Sequence, residues 1–152
     1  MANSIEIILN KGSGSHEAQD SREILTKVFR ESGRSFAISV ASGDEIGRLA
    51  REKAKSDCEV LVAGGGDGTI CSVAEAAREH GKTLGVLPLG TFNYFATNLG
   101  LPLELEEAAR AILEGKPFRA SGLDLDGRRG RNNRTFGLHL AVLCLPRNPI
   151  WR

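Results

Sequence analysis

Glu59-Val60-Leu61-Val62-Ala63-Gly64-Gly65-Gly66-Asp67-Gly68-Thr69-Ile70 is the stretch whose reading decides the fold. Glu59 to Ala63 is a short, mostly apolar run, which suits a strand buried on both faces of a sheet. Three glycines end it. Ile70, Val73, Ala74 and Ala77 then recur at helical spacing as far as Gly81. The pattern predicts a strand, a tight glycine turn, and a helix that begins near Ile70 and closes at Gly81.

The same alternation runs outward in both directions. Ile5 to Leu9 reads as a strand that enters a polar loop, Asn10 to Ser15. Ile24, Leu25, Val28 and Phe29 mark a helix, with Gly33 as its stop signal. Phe36 to Ala41 reads as a second strand, and Ile46, Leu49 and Ala50 mark a helix ending near Ser56. Leu84 to Leu87 reads as a fourth strand. Ala108, Ala109, Ile112 and Leu113 mark a later helix, ended by Gly115 and Pro117, and Gly122 to Asp126 offers a further strand. Strands joined through helices imply parallel pairing. The predicted fold class is therefore α/β, an open, mostly parallel sheet flanked by helices. Such sheets bind ligands at the carboxyl ends of their strands, so the loops after strands one, three and four are the places to search.

Length and composition agree with this reading. The 152 residues suit one domain with its own core, at 41% hydrophobic and 26% charged. No apolar run approaches the ~18 residues of a spanning helix. The opening Met1-Ala2-Asn3-Ser4-Ile5-Glu6 lacks a basic leader region, so a cytoplasmic protein is expected. Cys58, Cys71 and Cys144 show no paired spacing and read as reduced thiols. Charge is uneven: all 19 acids lie at or before Asp126, while Arg128 to Arg152 holds six arginines and no acid. The first 127 residues thus carry 14 bases against 19 acids, net −5. A basic tail suits peripheral contact with an anionic membrane or a simple solvated end. Its only aromatics are Phe136 and Trp151, which make no base-stacking platform, so nucleic acid is not an expected partner.

Three loops could carry chemistry. In Gly64 to Thr69 the glycines let backbone N–H groups approach a ligand without a Cβ in the way. The following helix start favours an anion such as phosphate. Asp67 makes sense there if it meets Mg²⁺ or accepts a proton; its bland alternative is to cap the helix. Pro88-Leu89-Gly90-Thr91-Phe92-Asn93-Tyr94-Phe95-Ala96 offers Thr91 and Asn93 as hydrogen-bonding side chains, or simply a turn and cap. Asn10-Lys11-Gly12-Ser13-Gly14-Ser15 offers amides and hydroxyls, or a solvated loop. The glycines are not the dinucleotide fingerprint, because Thr69 stands where GxGxxG needs its last glycine. Gly81-Lys82-Thr83 is no P-loop, since Ala76 replaces the first glycine and a strand follows. His16, His80 and His139 are isolated, and no metal-ligand cluster or GxSxG elbow stands out.

Taken together, the loops resemble the catalytic domain of the diacylglycerol kinase family, which includes bacterial lipid kinases and sphingosine kinases. Gly65-Gly66-Asp67-Gly68-Thr69 matches its GGDGT motif. Pro88, Gly90, Thr91, Asn93 and Ala96 match its Pro-x-Gly-Thr-x-Asn-x-x-Ala motif, and Leu99-Gly100-Leu101-Pro102 continues it. Asn10, Ser13 and Gly14 match its Asn-Pro-x-Ser-Gly loop, with Lys11 replacing proline. The resemblance covers roughly residues 4 to 126. It implies an NAD kinase/diacylglycerol kinase-like fold that binds Mg-ATP between the three loops. Gly65, Gly66, Gly68 and Thr69 would hold the phosphates, Asp67 would serve phosphoryl transfer through Mg²⁺, and Thr91 would contact the nucleotide. Ser39 occupies a position where relatives often use Thr for the same purpose, and Asn10, Ser13 and Gly14 would line the site.

Two departures accompany the match. Cys71-Ser72 stands where the family often reads Asn-Glu, which removes a carboxylate near the nucleotide. Family members also continue into a β-rich second domain that binds the lipid and supplies a base. The expected organisation is a nucleotide-binding domain at 1–126 and a basic tail at 127–152 without that second domain. The expected function is the ATP-binding part of a lipid kinase, acting on a diacylglycerol-like hydroxyl and inactive alone. The alternatives are an NAD kinase-like enzyme and a non-catalytic nucleotide-binding module. A sheet edge left uncovered offers a route to a homo-oligomer.

Overall fold

The computed structural model describes residues 4–12, 15–120 and 140–144, without the side chains of 15–18, 120, 140, 141, 143 and 144. Along the chain run β1 (Ile5–Asn10), α1 (Ser15–Glu31), β2 (Phe36–Ala41), α2 (Ile46–Ala54), β3 (Val60–Gly65) and α3 (Asp67–Glu79). There follow β4 (Thr83–Pro88), α4 (Tyr94–Asn98), α5 (Leu105–Glu114), β5 (Lys116–Ala120) and β6 (Leu140–Cys144). The six strands form one sheet in the order β2-β1-β3-β4-β6-β5, parallel except for the β5–β6 pair. This is the predicted open, mostly parallel α/β sheet.

Helices cover both faces, which is why the central strands are mostly apolar. On one face Ile8, Leu61, Ala63, Leu84 and Val86 pack with buried residues of α2 and α3. On the other, Ile5, Ile7, Leu9, Val60 and Val62 pack with Leu25, Val28 and Phe29 of α1 and with Ala108, Ala109 and Ile112 of α5. Burying one such Leu or Ile contributes about 1.5–3 kcal/mol. The helix stops are as read: Gly33 and Gly81 both take positive φ, at 72° and 64°.

Three details differ from the sequence reading. α3 begins at Asp67, three residues before Ile70, with Gly66 as its N-cap and the Ile70 N–H bonded to the Gly66 carbonyl at 3.0 Å. Tyr94–Asn98 forms a helix of its own where the sequence suggested a turn or cap. Pro117 does not simply end a helix; it sits in β5 opposite Leu143, at the sheet edge. An edge strand tolerates proline because one row of its N–H groups needs no ladder partner. β6 comes from beyond residue 126 and joins the sheet between β4 and β5. The strand expected at 122–126 and the arginines from Arg128 to Arg152 lie outside the described residues. No helix among the described residues is long and apolar enough to cross a membrane.

Candidate functional site

The strand order reverses direction between β1 and β3, because β1 leads to β2 on one side and β3 to β4 on the other. A crevice at the carboxyl ends of strands forms at such a point. Asn10 ends β1 there, and its Nδ2 donates to Thr69 Oγ1 at 2.9 Å, which ties the first loop to the glycine loop. Asn10 Oδ1 also accepts from the Gly12 N–H at 2.8 Å. Thr69 is only 6% exposed and lies over Gly65. A Cβ on Gly65 would stand 2.7 Å from Thr69 Oγ1 and 2.8 Å from its Cβ, so this position holds glycine for space.

The glycine loop and the Pro88–Ala96 loop touch backbone to backbone. A Cβ on Gly90 would lie 2.4 Å from the Gly66 Cα. Next to this contact, the Leu89 N–H bonds to the Gly65 carbonyl at 3.0 Å. Asn93 closes the turn. Its Oδ1 accepts from the Gly90 N–H at 2.9 Å, and its Nδ2 donates to the Gly90 carbonyl at 3.0 Å. Asn93 has φ 54°, the one positive φ outside glycine among the described residues. The residue type suits the conformation, since asparagine visits it more readily than most.

Asp67 joins the two loops. Its Oδ2 accepts from the Tyr94 N–H at 3.1 Å and its Oδ1 from the Phe95 N–H at 2.9 Å. These are charge-assisted bonds, each worth about 1.5–3 kcal/mol. Asp67 therefore caps a helix, but it is α4, 27 residues away, and not its own helix α3. Sequence reasoning missed this because nothing local signals it; the only hint is the pairing of a lone carboxylate with a glycine-ringed second loop.

The start of α3 is left open. Gly66, its N-cap, has no side chain, and among the described residues no side chain caps the first amides. A Cβ on Gly68 would meet nothing within 4 Å among the described residues. A 13-residue helix with free leading amides presents about half a positive charge at that end. An anionic ligand fits it. Asp67 sits at the first helical position, part-exposed, and a carboxylate has about four lone-pair sites, two of which α4 uses. The remaining two suit Mg²⁺, which typically takes one or two carboxylates and completes its shell with phosphate and water. Among the described residues no group of three or more His, Cys, Asp or Glu side chains gathers, so ligand oxygens and water would complete that shell.

The other expected residues divide. The structure brings Asn10 and Thr69 together beside Gly65, Gly66, Asp67 and Gly68. Thr91 is exposed at the rim, beside the Gly66–Gly90 contact. Ser39 pairs in register with Ile8, two residues short of the strand end, and makes no hydrogen bond to these loops among the described residues. Ser13 and Gly14 lie outside the described residues. At the expected Asn-Glu position, Ser72 Oγ instead donates to the Gly68 carbonyl at 3.1 Å within α3. Phe92 and Tyr94 flank Asn93 and stack with ring centroids 5.4 Å apart, although they are 69% and 58% exposed.

Residues 4–123 match the diacylglycerol kinase catalytic domain. The chain belongs to this family. It is similar to the protein named "Probable lipid kinase YegS-like" of Chromohalobacter salexigens, 41% identical over 119 residues, which are 74% of this chain and 37% of that protein. The Klebsiella pneumoniae protein of the same name is 40% identical over 114 residues, covering 72% and 37%. That of Pseudomonas aeruginosa reaches 48% over 88 residues, covering 56% and 29%. The match thus spans 29–37% of the length of these curated relatives. A crystal structure of a diacylglycerol kinase from Bacillus anthracis superposes with a TM-score of 0.66 at 24% identity, over 77% of this chain and 44% of that one. That likeness speaks to the architecture of the diacylglycerol kinase catalytic domain.

Proposed function

We propose that this diacylglycerol kinase-family domain is the Mg-ATP-binding part of a lipid kinase that moves the γ-phosphate of ATP to a hydroxyl of a diacylglycerol-like lipid. The observation that carries the reading is the pairing of the open α3 N-terminus with the Asp67 carboxylate, held in place by a second loop. Phosphoryl transfer asks mainly for positioning and charge neutralisation, and these loops are built for both. The α3 amides and the glycine backbone bind phosphate oxygens. The free lone pairs of Asp67 hold Mg²⁺, which neutralises phosphate charge when bound. Asn10 and Thr69 brace the loop, and Thr91 lies at the rim for the nucleotide.

The lipid acceptor is favoured over NAD by the Pro88–Asn93 loop and by the exposed Phe92–Tyr94 pair. Tyr94 donates its N–H to Asp67, so an apolar aromatic surface lies beside the charged group. Such a surface suits an acyl chain better than a ribose. A lipid substrate places the working protein at a membrane surface from the cytoplasmic side. On this reading the nucleotide-binding domain alone binds nucleotide without turnover. The test incubates the purified chain with γ-labelled ATP, magnesium and either diacylglycerol vesicles or NAD. A second arm exchanges residues 4–120 into the Chromohalobacter relative. The expected result is label on lipid from the chimaera and none from the isolated chain. Label on NAD would replace the lipid reading with the NAD kinase-like one. A folded chimaera that labels neither would favour a non-catalytic module.

A further inference from the structure

The geometry points to Asn93 as the positioning residue that sets both halves of this site, a role it plays through Gly90 and α4 and without touching the ligand. The inference rests on the nucleotide reading above for its consequence, and on backbone geometry for its mechanism. Asn93 does two things at once. Its side-chain amide grips the N–H and the carbonyl of Gly90, at 2.9 and 3.0 Å. That fixes the residue whose Cα packs on Gly66, and with it the adjoining Thr91. Its own backbone, at φ 54° and ψ 44°, turns the chain abruptly into α4. The next two N–H groups, of Tyr94 and Phe95, thereby point back at the two oxygens of Asp67.

A five-residue helix has little stability of its own, because most of its residues go into nucleation. Its start must be imposed from outside. Here the side-chain clamp on one side and the Asp67 carboxylate on the other impose it. The N-cap position has no side-chain cap bond into α4, so the Asn93 amide serves the loop and not the helix. If the clamp is lost, Gly90 and the Tyr94 and Phe95 amides move independently, and Asp67 loses its fixed direction. Supporting groups of this kind typically cost 10–100-fold in metal affinity when removed.

The test compares the parent chain with Asn93→Gly and Asn93→Asp. Glycine keeps the left-handed backbone and removes the clamp. Aspartate keeps the oxygen that accepts from Gly90 and removes the donor. Three quantities are read: the melting temperature, Mg-ATP affinity by calorimetry, and NMR signals of the Tyr94 and Phe95 amides and the Asp67 carboxyl carbon. In Asn93→Gly, Mg-ATP binding weakens about 10–100-fold, both amides lose hydrogen-exchange protection and the Asp67 carboxyl signal shifts, while the fold stays intact. Asn93→Asp recovers part of each effect. A purely structural role would lower the melting temperature and leave the relation between amide protection and affinity unmoved, which overturns the inference. Parent-like signals in Asn93→Gly also overturn it. A parent chain that binds no Mg-ATP defeats the nucleotide reading, and the amide and carboxyl signals then still decide for or against Asn93.

Discussion

Gly90→Ala is the substitution for which the structure makes the sharpest demand. The added Cβ would sit 2.4 Å from the Gly66 Cα, 3.2 Å from Asn93 Oδ1 and 3.3 Å from the Gly66 nitrogen. Ordinary contact begins at 3.4 Å, so the loops must separate by about 1 Å. The nearest atom, the Gly66 Cα, belongs to backbone and not to the free end of a side chain, so it cannot swing aside. Overpacking of this kind costs about 1–3 kcal/mol. In a domain of this size each kcal/mol lowers the melting temperature by about 2–4 °C. The separation also pulls at the Leu89–Gly65 bond of 3.0 Å and at the two bonds that hold Asp67. Urea unfolding monitored by circular dichroism gives the stability, and calorimetry gives Mg-ATP affinity on the same samples. Both fall together if the loops meet as described. A Gly90→Ala chain with parent stability and parent affinity would refute the backbone contact and with it the joined site.

Two further predictions test other parts of the account. Gly68→Ala adds a Cβ into open space within the first turn of α3, so it leaves stability unchanged or raises it by up to about 1 kcal/mol, while obstructing phosphate and weakening Mg-ATP binding about tenfold or more; a calorimetric titration beside a melting curve checks the opposite signs. Glu106 lies on the exposed side of α5, where the hydrogen bond from Arg110 at 2.8 Å and then its charge hold the carboxyl below its ordinary value of 4.5. A depressed carboxylate contributes stability above its unfolded pKa and loses it as pH falls from about 4.5 through the folded value. In Arg110→Ala a carboxyl-carbon NMR titration shows the Glu106 midpoint moving back up, and a midpoint already at the ordinary value in the parent would contradict the pairing.

The sequence reading and the structure agree where the physics is local or periodic. β1, β3 and β4 are legible because burial on both faces makes them mostly apolar, and α1 and α3 because their buried residues recur at helical spacing and stop at left-handed glycines. The GGDGT and Pro-x-Gly-Thr-x-Asn stretches announce themselves as glycines placed where backbones must meet. What stayed hidden is long-range. The N–H partners of Asp67 come from 27 and 28 residues away, and α4 owes its start to that carboxylate and to Asn93, so no propensity in Tyr94-Phe95-Ala96-Thr97-Asn98 foretells it. β5 was masked by Pro117, which only an edge position excuses. Gly66 and Gly68 read as loop and put the expected start of α3 near Ile70, whereas Gly66 caps the helix and Gly68 lies within its first turn. The expectation for Ser39 rests on family position alone, and the sheet sets it in register with Ile8.

The most direct measurement is Mg-ATP and metal-free ATP binding by calorimetry on the chain and on Asp67→Asn. Asparagine keeps one oxygen for an α4 amide and removes the charge, so the variant stays folded by its melting curve. The account predicts that the parent binds Mg-ATP more tightly than metal-free ATP, and that Asp67→Asn loses most of that difference. Equal magnesium dependence in the two folded proteins would contradict the assignment of Asp67, and no binding by the folded parent would contradict the nucleotide site itself.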